Sequence, residues 1–301
     1  TIRESSGIAI ENMRLAKNDS ILMISQKIKY SNGAADSLIM ISLKDNKTGK
    51  EYMWNGNPDF WAKHSPILFP IVGTLKNNSY LYNNEEYHLS RHGFARDYEF
   101  EIIEKTETKV VFRLLSNTTT FINYPYHFQL KLSYEIIENQ ITLTYETKNL
   151  SQYQMPYSIG AHPAFKIENI ENYSLQFPND NELTFHSLEN ELYSKKTNTI
   201  NLDQNKLPLN YNHFKVDALV LKEFHSNEFS LLKNNNPYLK FKLTNFPHLG
   251  IWTKENAPFV CIEPWNGYAD NFDTNGNIFN KSGITILNPN ETKENKIEIT
   301  L

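Results

Sequence analysis

Three hundred and one residues, 40% of them hydrophobic and 21% charged, are enough for a large core, since a compact chain of this length buries about 75% of its unfolded surface. Thirty Lys and Arg against 34 Asp and Glu leave a net charge of −4 with the signs mixed, which sets aside a basic nucleic-acid footprint and a polybasic membrane anchor. A single cysteine excludes an internal disulfide framework and a Cys-based zinc site, and no apolar run approaches the 18 or more residues of a membrane helix.

Residues 1–17 contain no apolar stretch of the kind a secretory leader requires. They are set apart as peripheral, and a cytoplasmic location is expected. Beyond them the dominant period is two. Strands are predicted at 99–104 and 109–115, followed by a hairpin in which Phe128, Leu130, Leu132, Tyr134 and Ile136 alternate with polar residues. The alternation resumes at Ile141, Leu143 and Tyr145 after a turn at Glu138-Asn-Gln140, so each strand has one buried and one solvated face. Further strands are predicted at 218–222, 229–232, 238–244, 250–253, 259–262, 283–287 and 296–301. Connections rich in Asn, Asp, Gly and Pro suit tight turns. No linker, short repeat or 3.6-residue apolar stripe interrupts the pattern. The expectation is one all-β domain spanning 1–301, a large antiparallel β-sandwich.

Four segments break the alternation: Trp61-Ala-Lys-His-Ser-Pro-Ile-Leu-Phe-Pro-Ile-Val-Gly73, Arg91-His-Gly-Phe-Ala-Arg-Asp97, Met155-Pro-Tyr-Ser-Ile-Gly-Ala-His-Pro-Ala-Phe165 and Cys261-Ile-Glu-Pro-Trp-Asn-Gly-Tyr-Ala-Asp270. Local conflict with strand propensity is expected where function resides. Taken singly, each residue also has a plain structural reading: His92 as a turn residue, His162 as a hydrogen-bonded core histidine, Asp217 as a strand-start residue, Trp265 as core filling. Glu263 is harder to dismiss, because a carboxylate ending an apolar strand needs a partner or a task. Trp265 beside it also suits stacking on a sugar face. Together, a carboxylate and histidines can act as base and acid on a polar substrate without metal or redox cofactor. Neither a glycine-rich phosphate loop nor a G-x-S-x-G elbow occurs. Alternation places Cys261 on the same face as Glu263 and deeper, which makes it structural.

At these segments the chain resembles the aldose 1-epimerase (galactose mutarotase-like) family, in particular its lactose-operon-associated bacterial branch. The resemblance runs from about Lys44 to the C-terminus and rests on Asp45-Asn-Lys-Thr-Gly-Lys-Glu-Tyr-Met-Trp54, Ser65-Pro-Ile-Leu-Phe-Pro-Ile-Val-Gly73, His92-Gly-Phe-Ala-Arg96, Gly160-Ala-His-Pro-Ala-Phe165 and Glu263-Pro-Trp-x-Gly267, in that order. It implies a β-sandwich with an open cleft and interconversion of the α and β anomers of a galactose- or glucose-like aldose, with no cofactor and no metal. It also implies roles. Glu263 is the base that takes the C1 hydroxyl proton, and His162 is the acid that protonates the ring oxygen, on opposite sides of the hemiacetal. His92 assists nearby, and Asp217 holds sugar hydroxyls. Arg96, Lys63 and Trp265 complete the substrate site of a monomer or homodimer.

Two positions depart from the family pattern. Lys63 and Thr74 stand where an Arg is common, and a Lys cannot reproduce the bidentate fork of an Arg on a diol or phosphate. Three competing readings therefore stand beside the mutarotase: a carbohydrate-binding or regulatory protein without efficient catalysis, a hexose-6-phosphate mutarotase, and a glycoside hydrolase with Glu263 and Asp217 flanking the bond.

Overall fold

The alternating hairpin is the spine of the larger sheet. Phe128–Ile137 and Gln140–Asn149 pair along their full length, and every second residue, from Phe128 to Ile136, is buried. A computed structural model describes residues 12–17, 20–25, 28–29, 35–36 and 39–301, with side chains from Met40 onward. Among these, a 9-stranded sheet runs in the order Lys206–Pro208, Tyr173–Gln176, Glu228–Lys233, Asn236–Thr244, Thr292–Thr300, Gln140–Asn149, Phe128–Ile137, Lys109–Leu115, Glu101–Lys105. Its neighbours pair antiparallel.

An 8-stranded sheet contains Leu192–Asn201, Glu182–Glu189, Leu219–Leu221, His248–Trp252, Phe259–Asn266, Ile159–Ala161 and Ile67–Leu68, with Ala164–Lys166 pairing beside Ile159–Ala161 on Phe259–Asn266. Leu130, Leu132 and Leu143 of the first sheet share one apolar cluster with Leu249, Ile251, Val260 and Ile262 of the second. The fold is thus the expected antiparallel sandwich, its core built from the inner faces of both sheets. Each such side chain contributes about 1.5–3 kcal/mol by burial.

Asparagine pairs make several of the tight turns. Asn83-Asn84 joins Ser79–Tyr82 to Glu85–His88, and Asn234-Asn235 joins Glu228–Lys233 to Asn236–Thr244, both residues left-handed in each case. Two consecutive positive φ values match the right-handed twist of the flanking strands, and Asn tolerates them. Of residues 1–17, only 12–17 are described: Asn12–Lys17 pairs with Ser20–Ser25, which pairs with Ile39–Asp45.

The strand predicted at 259–262 does not stop at the carboxylate. It runs on as Phe259–Asn266, and all of its residues are buried. Glu263 therefore lies within a strand rather than at its end. Its neighbours on both sides carry glycines. Trp265 crosses Gly160 and Gly250, where an added Cβ would approach the indole to 2.6 Å in each case. Gly250→Ala is expected to push Trp265 off the sheet and destabilise the protein by about 1–3 kcal/mol, the usual cost of overpacking. Urea unfolding followed by tryptophan emission checks this; an unchanged midpoint would show that the indole has room to move.

Candidate active site

Alternation along Phe259–Asn266 decides the site. Val260 and Ile262 face the main core, so Phe259, Cys261, Glu263 and Trp265 share the opposite face. Phe259 and Cys261 belong to an apolar cluster with Trp54 and Ala164, against which Trp61 and Trp252 pack. Trp265 belongs to a second cluster with Leu68, Val72 and Val220. Glu263 sits between them, 2% exposed. Burial pushes its carboxyl well above the usual range, with Asp217 adding to the rise and Arg91 opposing it.

Its partner is His162. Ile159–Ala161 ends one residue before it and Pro163 follows it, and His162 Nε2 lies 3.2 Å from Glu263 Oε2. Trp61 stacks on the imidazole at 4.9 Å between centroids, and Trp252 meets it edge-on at 5.9 Å. Burial lowers the His162 pKa to about 3, with the cations Arg91, Arg96 and Lys63 adding to the fall. An ion pair and a neutral pair contain the same single proton, and this low-dielectric setting favours the neutral form, in which the carboxyl donates to the imidazole. The two side chains are thus one titrating unit, whose pKa values belong to the pair. His162 and Glu263 thus lie within one sugar's width of each other, as expected, but in direct contact on one wall rather than facing each other across the cavity.

His92 is at once a turn residue and part of the site. Its φ of 68° and that of Gly93, 70°, make a left-handed pair. A Cβ on Gly93 would fall 2.3 Å from Phe69 O, so glycine is required there. His92 N–H donates to Gly73 O at 2.9 Å, and Gly73 N–H donates to His92 Nδ1 at 3.1 Å. The backbone donor fixes Nδ1 as the acceptor, and burial holds the ring neutral by lowering its pKa well below the ordinary value. The ring hydrogen is therefore on Nε2. Arg91 Nε–H is also directed at that atom, from 3.2 Å, and a neutral ring accepts at one nitrogen only, so the buried backbone donor at Nδ1 displaces the guanidinium's claim.

Arg91 is anchored instead by Glu191, at 2.9 Å, and Thr74 Oγ1 donates to the other oxygen of the same carboxylate at 2.8 Å. Thr74, one of the two departures from the family pattern, thus acts indirectly, by fixing the carboxylate that holds an arginine. Arg96 donates to Arg91 O at 2.8 Å, and Asp217 accepts from the N–H of Ala218 at 2.7 Å.

All seven residues singled out in the sequence, Glu263, His162, His92, Asp217, Arg96, Lys63 and Trp265, line one open cavity of about 260 Å³. That is slightly below the ~300 Å³ at which pockets for drug-sized ligands begin. A depression of about 480 Å³ beside Phe224 and His225 is larger but lacks a buried acid–base pair in its lining. Trp61, Trp252 and Arg91 line the cavity as well, and Glu191 sits behind Arg91. Trp61 and Trp252 stood inside segments the sequence had marked, at the head of the first irregular stretch and in a short strand. Glu191 gave no signal, because it is a polar turn residue 100 positions from its partner. One face of Trp265 is used against the two glycines, and its Nε1 is buried with no partner among the described residues. That donor suits a polar ligand.

The model of the aldose 1-epimerase family matches residues 38–300. The chain belongs to that family. It is 32% identical over 278 residues to the Lactococcus lactis plasmid-borne Protein LacX, covering 87% of this chain and 93% of that protein, which is the branch the motifs indicated. Among solved structures, a galactose mutarotase related enzyme from Lactobacillus acidophilus is 29% identical with a TM-score of 0.85, covering 96% of each chain. A galactose mutarotase-like protein from Lactobacillus casei, 24% identical, superposes with a TM-score of 0.86 over 96% of this chain and 99% of its own. The latter supports the fold alone.

Within this epimerase family member the buried pair is expected to make stability depend on pH. The folded pKa of Glu263 lies above its ordinary 4.5, so the fold is least burdened when the carboxyl is protonated and loses stability as pH rises from about 4.5 through the raised value. Glu263→Gln is therefore expected to leave Tm nearly unchanged at pH 4 and to raise it by a few degrees at pH 8. His162 titrates the other way: its folded pKa of about 3 lies below 6.5, so stability falls as pH drops between those values. His162→Asn is expected to relieve that loss. Thermal melts of both variants from pH 4 to 8 check the signs; a Gln variant less stable at pH 8 than at pH 4, relative to wild type, would contradict the assignment.

Proposed function

We propose that this protein is an aldose 1-epimerase acting on a hexose, with Glu263 and His162 moving the protons. The observation that carries the reading is the buried 3.2 Å contact between the two at the wall of an open cavity. A hemiacetal has its hydroxyl and its ring oxygen on the same carbon, so the groups that serve them must be neighbours. When a sugar inserts these two oxygens at the pair, the shared proton passes from Glu263 to His162; the carboxylate so formed takes the C1 hydroxyl proton while the imidazolium gives its proton to the ring oxygen, which returns the pair to its neutral form. The ring opens, the C1–C2 bond rotates, and reversal of both transfers closes the ring on the other carbonyl face. The enzyme ends with the proton count it began with.

Around the pair, His92 offers its Nε2–H to an oxygen beside the ring. Asp217 accepts from hydroxyls, and Lys63, Arg91 and Arg96 donate to them. Trp61 and Trp252 keep the imidazole oriented. The glycoside-hydrolase reading would pair Glu263 with a second carboxylate about 5–9.5 Å away; Asp217 lines the same cavity, but the group in contact with Glu263 is a histidine, which favours the epimerase. A second reading, a hexose carrying a phosphate, draws support from the three cations on the cavity wall.

Polarimetry on freshly dissolved α-D-glucose, α-D-galactose and α-D-glucose 6-phosphate separates these readings. Acceleration above the buffer blank on the free sugars is the expected result. Acceleration on the phosphate alone would favour the second reading. Binding without acceleration would favour the carbohydrate-binding module.

Glu263→Gln and His162→Asn are each expected to lose about 10²–10⁴-fold of the excess rate, with the double variant scarcely worse. The pH–rate profile of the free enzyme is expected to be bell-shaped, because only the one-proton pair is active. Its acid limb belongs to protonation of the imidazole side and its alkaline limb to loss of the carboxyl proton, the reverse of ordinary Glu and His. An acid limb near pH 4.5 with an alkaline limb near 6.5 would show two independently titrating groups instead.

A further inference from the structure

Cys261 takes no part in the proton transfers, yet it lies two residues from Glu263 on the same face of the strand and is fully buried. One ligand atom from each of His162, Cys261 and Glu263 lies within 4.8 Å of the other two. The single cysteine led to the expectation of no Cys-based zinc site; that expectation reaches too far, because one thiolate can join an imidazole and a carboxylate in a mixed set.

We propose that His162, Cys261 and Glu263 form a binding site for a borderline-soft divalent cation of the zinc class, and that its occupation switches the proton-transfer pair off. The donor set is one imidazole, one thiolate and one carboxylate, the N, S and O ligands that zinc takes in sites keeping a fourth position open. Bonds of about 2.0–2.3 Å to a tetrahedral ion imply ligand separations of about 3.3–3.8 Å. The His162–Glu263 separation of 3.2 Å already meets this, and the thiol side closes by rotating side chains by about an ångström. Charge favours the complex: a divalent cation with one thiolate and one carboxylate is neutral, which suits the apolar wall of Phe259, Trp61 and Trp252. Arg91, Arg96 and Lys63 oppose a cation, so the site discriminates by its ligands rather than by its field. Two of the three ligands, His162 and Glu263, line the cavity, so a sugar there would compete with the cation for them.

Only the inhibitory consequence rests on the catalytic reading; the site itself is read by spectroscopy. Cobalt(II) is titrated into the full-length chain stripped of metal, because it accepts tetrahedral zinc sites and reports a thiolate ligand by a near-ultraviolet charge-transfer band. The expected result is one cobalt per chain, half-saturated below about 100 μM as for a partly formed site. The spectrum should show tetrahedral visible absorption and the thiolate band, both abolished by added zinc. Cys261→Ser is expected to remove the band and weaken binding at least 10-fold while keeping mutarotase activity that zinc no longer inhibits. Should replacing the buried thiol unfold the chain, His162→Asn at the cavity wall serves as the second variant and is expected to weaken cobalt binding as much. Cobalt bound without the thiolate band, no binding below about 100 μM, or unchanged affinity in the variants would overturn the proposal. A thiolate band in a protein that fails to accelerate mutarotation would still establish the site, so the two readings fail separately.

Discussion

A carboxyl group placed in a strand covered on both faces sets the terms for the rest of the site. Val260 and Ile262 fix the inner face of Phe259–Asn266 in the core, and that register turns Glu263 to the cavity wall, where its neighbours leave it only 2% exposed. Burying an unpaired carboxylate would be prohibitive. The structure meets the constraint by setting His162 against it and by letting the pair hold one proton without net charge. The aromatic walls on one side and the Trp265 cluster on the other keep water from relaxing that arrangement.

Positioning follows from the same constraint. Glycines at 160 and 250 let Trp265 lie across the neighbouring strands, closing the sheet around the carboxyl. The left-handed His92-Gly93 pair brings a third polar group to the cavity from a different part of the chain, held by reciprocal bonds to Gly73. The charged rim is more loosely tied. Arg91 depends on Glu191, a half-exposed residue in the tight turn between Glu182–Glu189 and Leu192–Asn201. The rim is therefore the part of the site tied least tightly to the fold, although Arg91, Arg96 and Lys63 still act on the buried pair through their charge.

Much of this was legible in the sequence because burial writes itself as alternation. The hairpin of Phe128–Ile137 and Gln140–Asn149 is legible with its turn, and the irregular segments contain every residue of the cavity wall except Asp217, Ala218 and Trp252, which belong to or border predicted strands. What escaped notice has physical reasons. Leu192–Asn201 is mostly exposed, so it carries no apolar alternation to betray a strand. Phe259–Asn266 runs longer than predicted because glutamate, proline and asparagine read as a strand end, although pairing continues through Trp265 with His248–Trp252 and to Asn266 with Ile159–Ala161. The opposition of acid and base was misjudged because spacing along the chain says nothing of how Ile159–Ala161 and Phe259–Asn266 lie as neighbours. Likewise the protonation of the pair comes from burial, which ordinary pKa values cannot convey.

The central claim is that Glu263 and His162 share a single proton that resides on the carboxyl. Infrared difference spectroscopy of wild type against Glu263→Gln at pH 7 tests it directly, since a protonated carboxyl and an ionised carboxylate absorb in separate regions. The account predicts a carbonyl band of a protonated carboxylic acid in the wild type that disappears in the variant and weakens only as pH is raised well above neutrality. A difference spectrum at pH 7 containing only carboxylate bands would show Glu263 ionised beside a charged imidazole and would contradict it.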